Sequence, residues 1–546
     1  MLICIITIIL AGTSHDSLNA QSDLESEVHS YLANIPFEMP RIGVPSFPDR
    51  TFNIVDFGAI GDGHTLNTDM FAETIQSCVK AGGGKIIVPQ GIWLTGPIRL
   101  ESNIELHLEQ GAMILFTPDR TQYPIIETPS RGFLVTSPIY GFHLDNVAIT
   151  GSGIIDGSGD AWRPVKKFKT TSSQWKQLLA SGGIVNPEKN MWWPSQQALD
   201  GESYLKDLHA RKEKSELVTD DFLPARDYMR PYMVLFVHCK NVLVDGVTIR
   251  NSPKFALVPN WSENIIIRDV KVNNEWWAQN GDGIDISSCK NVLIYKCIVS
   301  VGDDAICMKS DKKKNSDEPS LQNIVIADCF VYHGHGGFVI GSNTDGGVKN
   351  ISVKNCNFIN TDIGLRFKSA RDRGGLVEQI YMTNIYMSDI VNEAILFDTY
   401  YENVSNEGDY PITETTPQFR HFYFRDIICV DARQAVLIAG LPEMPIRDIE
   451  MTGLRISAER GFGSSHASNF TLNNVTIDAR DKCIYSLQSS NDFVIENGTV
   501  PQDARVFVKL SGIDNSNIRL KNIDLSSVAQ PFEYYNGATE KAVIIQ

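Results

Sequence analysis

The chain carries a recurring pattern of alternating apolar and polar residues. One copy reads Asn241-Val-Leu-Val-Asp-Gly-Val-Thr-Ile, and the next reads Asn264-Ile-Ile-Ile-Arg-Asp-Val-Lys-Val. Most intervals between copies are 21 to 32 residues long. Each copy begins at a polar residue that we place at a turn: Asn103, Asn146, Asn241, Asn264, Asn291, Asn323, Asn350, Gln379, His421, Asp448, Asn469, Asp492 and Asn517.

This alternation predicts strands with one buried face. Each interval has room for two or three short strands and their turns, and it contains no helical segment. Such units cannot close a core alone and must stack on one another. A β-sandwich would need more Asn-Gly or Asp-Gly hairpin loops, and propeller blades would need longer repeats of four strands. We therefore predict an all-β protein, a single right-handed parallel β-helix.

Two segments interrupt the repeat. A helix-like stretch from Thr68 to Lys80 lies between glycine-rich turns, and we expect it to cap the open end of the solenoid. Residues 158–230 form an insertion rich in charged residues and tryptophan. The sequence does not decide whether its aromatic residues wall a sugar-binding groove or only pack the insertion against the solenoid. These residues are Trp162, Trp175, Trp192 and Trp193.

A second strand in each coil aligns well from one coil to the next. The aligned segments are 282–288, 304–310, 336–342, 363–369 and 393–399. Their third and fifth positions are apolar and are predicted to face inward: Ile284, Ile286, Ile306, Met308, Phe338, Ile340, Leu365, Phe367, Ile395 and Phe397. Strand alternation then turns a set of charged residues outward on one face: Asp285, Lys309, Arg366, Lys368 and Asp398.

Acidic residues and one histidine precede these strands at matching positions. They are Asp282, Asp303, Asp304 and His335, and Asp282 is 21 residues from Asp303, about one coil. An Asp-Asp pair near glycines is ordinarily a solvated turn. Stacking, however, brings these residues to one edge of the predicted face. Converging carboxylates suit glycoside hydrolysis, which needs a protonated acid and an ionised base, and crowding of like charges supplies the acid.

The cations of the same face extend this interpretation. Lys309, Arg366 and Lys368 provide the local positive field that a sugar carboxylate requires, and arginine can bind a carboxylate through two hydrogen bonds. Calcium is the rival ligand for the aspartates, but the adjacent cations oppose it. We therefore predict no metal and no other cofactor.

Composition narrows the classes of partner. The formal net charge of −16 argues against nucleic acid and acidic membrane surfaces as partners. The ten cysteines include no CxxC pair, which argues against a zinc site and a dense disulfide framework. Several of them fall within strands and are expected to be buried: Cys297, Cys307, Cys329 and Cys356.

The N-terminus indicates export. Residues 1–12 are largely apolar but too few to span a bilayer, and Leu18-Asn19-Ala20 offers a cleavage point before Gln21. We predict a signal peptide at 1–20, an N-terminal extension at 21–49 and a β-helix catalytic domain at 50–546 that contains the insertion. The protein is expected to be secreted or periplasmic, and monomeric.

Several ordered blocks of the chain resemble glycoside hydrolase family 28, the polygalacturonase and rhamnogalacturonase family. The resemblance covers roughly residues 50–530. It rests on Asn280-Gly-Asp-Gly-Ile-Asp285, Gly302-Asp-Asp304, Gly334-His-Gly336 and Arg366-Phe-Lys368, and on an N-terminal block at 56–63 with Gly91 to Gly96 beyond it. Each block is unspecific alone, and the ordered set on a β-helix is specific.

The resemblance implies an inverting hydrolase that cuts α-galacturonosyl linkages in pectic polysaccharides or oligogalacturonides. Asp303 would be the general acid, Asp282 and Asp304 would activate the attacking water, and His335 would orient the acid. Acid and base of an inverting pair are expected to lie about 6.5–9.5 Å apart. The residues that would contact substrate are Arg366, Lys368, Lys309, Asn280 and either Tyr400 or Tyr401, between which the sequence does not choose.

Departures from the family pattern leave the substrate open among homogalacturonan, rhamnogalacturonan and branched pectin. Gly281 stands where threonine is frequent, Val258-Pro259 where many relatives have His-Pro, and Asp311 where glycine is common. The insertion and Gly336-Gly337 favour exo-action. Two alternatives remain: a pectate-lyase-like enzyme that eliminates with calcium, and a non-catalytic β-helix that binds polysaccharide.

Overall fold

The chain folds into a three-sided solenoid of parallel strands, which confirms the prediction of a right-handed parallel β-helix. The computed structural model describes residues 21–128, 131–314, 316, 318–401 and 410–546. The predicted leader at 1–20 lies outside these residues. None of the helices among them is both long and apolar enough to cross a membrane.

Each side of the solenoid is one row of strands paired in parallel between coils. The first row contains Thr51–Asn53, Gly84–Val88, Ile104–Leu108, Asp145–Gly151, Lys240–Asp245, Glu263–Arg268, Lys290–Tyr295, Leu321–Ala327, Ile446–Thr452, Ser516–Lys521 and Val543–Ile545. The second row contains Gly91–Thr95, Ala112–Phe116, Ile154–Asp156, Thr248–Arg250, Lys271–Asn273, Ile298–Ser300, Phe330–His333, Arg455–Ala458 and Thr476–Ala479.

The third row carries the aligned segments of the candidate site. It contains Ile98–Arg99, Ile139–Phe142, Val234–Val237, Leu257–Asn260, Ile284–Ser287, Asp304–Lys309, Gly336–Ile340, Leu365–Lys368, Val506–Ser511 and Gln530–Tyr535. Longer strands bend around corners and belong to two or three rows: Val348–Ile359, Leu376–Asp398, Gln418–Ala439, Arg460–Asn473 and Cys483–Glu496.

The polar residues that mark each repeat all adopt left-handed backbone conformations. Asn264 has a φ of 55°, and the other repeat-marking positions, from Asn103 to Asn517, also have positive φ. Asparagine tolerates this region better than other residues with a side chain. Its amide also bonds to the next coil, since Asn264 donates to Asn241 at 3.2 Å and Asn291 donates to Asn264 at 3.2 Å. The asparagines from Asn103 to Asn350 therefore form a ladder along this corner of the solenoid.

The interior is a continuous apolar column. All ten inward positions predicted for the site strands are 0% exposed and belong to it. Phenylalanines stack between coils, with the ring centroids of Phe367 and Phe397 4.6 Å apart. The four cysteines expected to be buried are buried, and all nine cysteines of the described chain are free thiols.

Helix α2, at Thr68–Lys80, caps the first coil as predicted, with Phe71 and Ile75 buried against the core. The sequence did not predict helix α1 at residues 21–32, within the N-terminal extension. This extension packs across the outside of the first row, where Val28 and Ile42 are buried beside Leu243, Ile266 and other residues of that row. An apolar stripe on the outer face of the first row is thereby covered.

The insertion is folded rather than a long loop. It contains helices α3 at Ser172–Ala180, α4 at Gln196–Arg211 and α5 at Arg226–Met229, with a small antiparallel sheet of Val165–Lys166, Ile184–Val185 and Met191–Trp193. Outside the solenoid, Ile125–Thr128 pairs with Gly132–Val135. Trp162 and Trp192 are buried, so these two tryptophans pack the insertion down.

Candidate active site

Three carboxylates meet where two neighbouring coils enter the third row of strands. Asp282 precedes Ile284–Ser287, Asp304 begins the next strand of the row, and Asp303 immediately precedes that strand. One oxygen from each of the three residues lies within 4.8 Å of the others. The backbone holds this arrangement, because Gly283 N–H donates to Asp304 O at 2.9 Å. Stacking therefore brings together the acidic residues that the sequence singles out.

The separation of these carboxylates differs from the expectation for an acid and a base. Oxygens within 4.8 Å lie closer than the roughly 6.5–9.5 Å typical of an inverting pair, and the expected gap was wrong for these oxygens. The physical reason is the coil spacing, since strands paired in a sheet lie about 4.8 Å apart. Residues at matching positions of adjacent coils are therefore about one strand spacing apart. The distance between the carboxylates consequently does not predict whether this enzyme inverts or retains the anomeric configuration.

Asp304 is held by two cations from the coil two steps further on. Lys368 Nζ lies 2.8 Å from Asp304 Oδ2, and Arg366 Nη1 lies 3.3 Å from Asp304 Oδ1. Burial acts to raise the pKa of Asp304, but Lys368 and Arg366 outweigh it and lower the pKa. Asp304 is therefore a carboxylate. Lys368 points outward from the solenoid as predicted, yet it is only 6% exposed.

Asp282 and Asp285 share Lys309. Its Nζ lies 3.1 Å from Asp282 Oδ2 and 2.5 Å from Asp285 Oδ2. Burial raises the pKa of Asp282 well above its ordinary value, with Lys309 offsetting part of the effect and the charge of Asp303 adding to it. Oδ1 of Asp282 is buried and has no hydrogen-bond partner in the described part of the chain. Asp282 therefore offers the cluster an acceptor that the described residues leave unpaired.

Asp303 is paired with His335 from the next coil. His335 Nδ1 lies 3.1 Å from Asp303 Oδ1, and the same oxygen accepts a hydrogen bond from Asp304 N–H at 3.0 Å. Burial acts to raise the pKa of Asp303, but its hydrogen bond with His335 and the charges of Lys368 and Lys309 lower it overall. Of the three carboxylates in the cluster, Asp282 therefore has the strongest tendency to hold a proton in the unliganded protein. The resemblance would instead place it on Asp303.

The structure distinguishes between the two candidate tyrosines. The ring of Tyr401 lies beside both site cations, with its centroid 5.6 Å from Cζ of Arg366 and 4.8 Å from Nζ of Lys368. Tyr400 instead lies against Arg371, with its centroid 5.6 Å from the guanidinium carbon. Tyr401 is thus the tyrosine at the site. Arg366 also keeps a buried Nε that has no partner among the residues described.

Asn280 lies at the rim of a cavity beside the carboxylates. Its amide oxygen accepts a hydrogen bond from Arg230 Nη2 at 2.8 Å. The cavity has a volume of about 420 Å³, and its wall includes insertion residues such as Leu205 and Tyr228 together with Tyr232, Lys254 and Phe255 of the solenoid. Lys309 Nζ lies 4.0 Å from the centroid of Phe255, so the cavity borders the acidic cluster.

Sequence reasoning missed several charged residues at the site. Lys169 of the insertion reaches His335, with 3.4 Å between Nζ and Nε2. Asp362 lies 3.7 Å from the same Nε2. Arg131 crosses to the third row, where Nε donates to Asn260 at 2.9 Å. Lys169 and Arg131 lie outside the repeat, so the sequence pattern does not show which face of the solenoid they reach. Asp362 immediately precedes an aligned strand, and its position in the repeat could have indicated its place at the site.

Two departures from the family pattern have local explanations. A side chain on Gly281 would place its Cβ 2.8 Å from the Ala278 methyl, so the turn has no room for one. Val258 is 1% exposed and packs with Leu235 and Val237 in an apolar patch of the third row. At these positions the chain has adapted to its own packing.

The acidic cluster could in principle hold a metal ion, because its three oxygens are close enough together. Oxygens of Asp282 and Asp304 already face Lys309, Lys368 and Arg366 at 2.8 to 3.3 Å. Cations this close compensate the carboxylate charge and oppose a divalent ion. The absence of a metal nevertheless stays a prediction, which chelation tests.

Comparison with known proteins agrees with this site. The model of the glycosyl hydrolases family 28 matches residues 225–473, which contain all the acidic residues of the cluster. An exo-poly-alpha-D-galacturonosidase of Dickeya chrysanthemi is 26% identical over 500 residues, covering 86% of this chain and 79% of the relative. A probable polygalacturonase of Vitis vinifera is 26% identical over 419 residues, covering 74% of each chain.

Solved structures give the same result. The crystal structure of a hyperthermoactive exopolygalacturonase from Thermotoga maritima matches with a TM-score of 0.65 and 32% sequence identity, covering 84% of this chain and 96% of that one. This identity, coverage and fold, together with the family model over the site, show that the chain is a glycoside hydrolase and belongs to glycosyl hydrolases family 28.

Proposed function

We propose that this glycoside hydrolase cleaves α-galacturonosyl linkages in pectic polysaccharides or oligogalacturonides, with inversion and from a chain end. The observation that carries the proposal is the meeting of three aspartates within 4.8 Å of one another at the same edge as Lys309, Lys368 and Arg366. The carboxylates supply acid and base, and the cations supply recognition of a uronate. The galacturonosidase names of the relatives support this substrate class.

In the proposed reaction Asp303 protonates the glycosidic oxygen while Asp282 and Asp304 polarise the attacking water. Both hydrogen bonds to Asp303 end on Oδ1, which leaves Oδ2 to carry the acidic proton. Arg366 Nε is a buried donor with no partner among the residues described, and it suits a substrate carboxylate. The ring of Tyr401 beside Arg366 would form the adjacent wall.

The proton must reach Asp303 before bond cleavage. Lys368 and Lys309 contribute to the lowered pKa of Asp303 in the unliganded protein. A bound uronate would compensate part of that positive charge, and it would raise the pKa of Asp303 towards its acid role. Asp282 would then give up its proton and become a base. Substrate binding and proton redistribution are thus one step in this proposal.

The cavity of about 420 Å³ supports exo-action. Insertion residues wall the groove on the side of Asn280, and Lys254 brings a positive charge to the cavity lining. A basic pocket next to the acidic cluster, walled on one side by the insertion, would accept the last sugar of a chain and hinder the passage of longer segments. An enzyme of this kind releases small products from the beginning of the reaction and lowers the viscosity of the polymer slowly.

Product analysis on polygalacturonate and rhamnogalacturonan tests the proposal. Galacturonate or a short oligogalacturonide should appear as the first product, with new reducing ends and no ultraviolet absorbance from an unsaturated sugar. Unsaturated products that vanish with a chelator would establish the lyase alternative, and binding without products would establish a non-catalytic β-helix. A rapid fall in viscosity, with mixed long products, would contradict exo-action.

We also propose that the chain is exported with removal of residues 1–20, that residues 50–546 form one catalytic domain, and that it acts as a monomer. N-terminal sequencing of protein from the culture medium or periplasm tests the cleavage, which should leave Gln21 first. Light scattering on the purified protein tests the oligomeric state.

A further inference from the structure

Lys169 enters the site from the insertion. It ends the short helical turn Lys167–Lys169, which precedes helix α3, and it is 6% exposed. Its ammonium group lies 3.1 Å from Trp276 O, 3.2 Å from Gly302 O and 3.4 Å from His335 Nε2. The three N–H donors of a lysine thus have three acceptors.

This contact favours one ring nitrogen of His335 over the other as the site of the ring proton. An ammonium group has donors and no acceptor, so a nitrogen facing it presents its lone pair. Nε2 is then unprotonated, and the ring proton is on Nδ1, which lies 3.1 Å from Asp303 Oδ1. Asp362 favours the opposite arrangement from 3.7 Å, but its side chain is 48% exposed and its charge is screened by solvent.

Building on the proposed function, we propose that Lys169 is a positioning residue that keeps His335 neutral, with its proton on Nδ1, and thereby keeps the acidic proton on Asp303.

The His335–Asp303 pair has two states that contain the same number of protons. One has a neutral ring and a protonated carboxyl group, and the other has an imidazolium and a carboxylate. Only the second has a proton on Nε2, and the Lys169 ammonium repels it. Repelling the imidazolium therefore favours the form of the pair that can protonate a leaving group.

The charges around the pair are compatible with a charged Lys169. Burial lowers the pKa of Lys169, and the charges of Asp303 and Asp362 act against that lowering. The two backbone carbonyl groups and the face of Trp276, whose centroid lies 5.6 Å from Nζ, also stabilise an ammonium. The charges of Lys309 and Lys368 also act on Asp303.

The test is the pH profile of Lys169→Met and Lys169→Gln on a defined oligogalacturonide. We expect kcat to fall about tenfold with KM nearly unchanged, because the inactive form of the pair is now favoured. The alkaline limb of the kcat/KM profile should move up by about one pH unit, because the pair holds its proton more tightly without the ammonium. Lys169→Arg keeps the charge and should leave the limb at its wild-type position.

Lys167→Met is the matched control, since Lys167 is exposed on the same turn and its change should leave the profile as in the wild type. Loss of activity in Lys169→Met and Lys169→Gln with an unmoved alkaline limb would overturn the proposal and leave Lys169 a packing role. Should Lys169→Met fail to fold, Lys169→Gln still decides, because its amide can donate to the two carbonyl groups without carrying charge.

Nitrogen-15 spectra of the histidine rings give a readout that needs no substrate. Wild-type His335, assigned through the loss of its signals in His335→Gln, should be neutral with its proton on Nδ1 at the pH of maximal activity. A ring with its proton on Nε2, or a charged ring, would contradict the inference. Failure of the wild type to release products from polygalacturonate would instead contradict the proposed function, so the two failures are distinguishable.

Discussion

The ammonium group of Lys368 lies 2.8 Å from Oδ2 of Asp304, and both side chains are almost fully buried. Removing the lysine would leave a buried carboxylate with less compensation, which costs roughly 3–5 kcal/mol. Lys368 points outward from the solenoid, as strand alternation predicts. Its burial shows that the fold and the site share this residue.

Lys368→Ala is therefore expected to lower both stability and turnover. Because the folded pKa of Asp304 is lowered, its stabilisation is fully present above the unfolded pKa of about 3.9 and is lost as the pH falls through the folded pKa. The stability gap between wild type and variant should be widest at neutral pH and should narrow in acid. Thermal unfolding across this range measures it, and a gap that is constant with pH would mean that the pair contributes no charge-dependent stability.

Arg366→Ala should impair recognition of galacturonate more than it impairs folding. A charge-assisted hydrogen bond to the substrate carboxylate is worth roughly 1.5–3 kcal/mol. The loss in kcat/KM should be large on oligogalacturonides and small on carboxyl-reduced analogues, which the wild type already cleaves poorly. Equal losses on both substrates would remove Arg366 from the recognition role.

Asp303→Asn should abolish turnover while the fold and substrate binding remain nearly intact. The amide keeps the shape of the side chain but cannot donate the proton, a loss on the order of 10²–10⁴-fold or more in kcat. Initial rates and binding isotherms, with the unfolding midpoint as control, measure the effect. Near-normal kcat in this variant would show that another residue is the acid.

Asp282→Asn should stabilise the protein at neutral pH while it greatly reduces activity. The folded pKa of Asp282 is raised, so its cost to stability begins as the pH rises above the unfolded pKa of about 3.9 and grows until the folded pKa is passed. The amide removes that cost, and we expect a gain of about 0.5–2 kcal/mol at pH 7 and little change in strong acid. Exposed Asp49→Asn is the control, and a destabilised Asp282→Asn would contradict the raised pKa.

Asn264 tests the corner ladder away from the site. Asn264→Ala removes bonds to Asn241 and Asn291 and forces alanine into a φ of 55°, so we expect a loss of about 2–3 kcal/mol with unchanged kcat. Asn264→Gly removes the same bonds without the strain and should lose about 1 kcal/mol less. Denaturant unfolding of the two variants separates the contribution of the hydrogen-bond ladder from that of backbone strain. Equal losses in the free energy of unfolding would mean that the positive φ adds no strain in the alanine variant.

Stereochemistry tests the role of water. If Asp282 and Asp304 activate a water, no covalent intermediate forms, and the new reducing end of an α-linked galacturonide should first appear as the β anomer. Proton NMR of the anomeric signals before mutarotation decides this. An initial α anomer would mean retention, and one of these aspartates would then be a nucleophile.

The sequence by itself determined the repeat, the inward face and the edge where the acidic residues meet. These features depend on local rules. Side chains alternate along a strand with a period of two, and asparagine tolerates positive φ. Stacking then places equivalent positions of successive coils next to one another. Ile284 and Phe367 could therefore be assigned to the core, and Asp282 and Asp303 to one site, from spacing alone.

Only the tertiary structure decided how the charges are paired and what the insertion does. The partner of Lys309 or Lys368 depends on distances of a few ångströms between coils, and the preferred site of a proton depends on burial that no residue pattern encodes. The insertion contains no repeat that would align it with the coils. Its sequence therefore does not indicate that Lys169 reaches His335. The choice between Tyr400 and Tyr401 likewise required the path of the chain after the strand, because neighbouring residues there face different arginines.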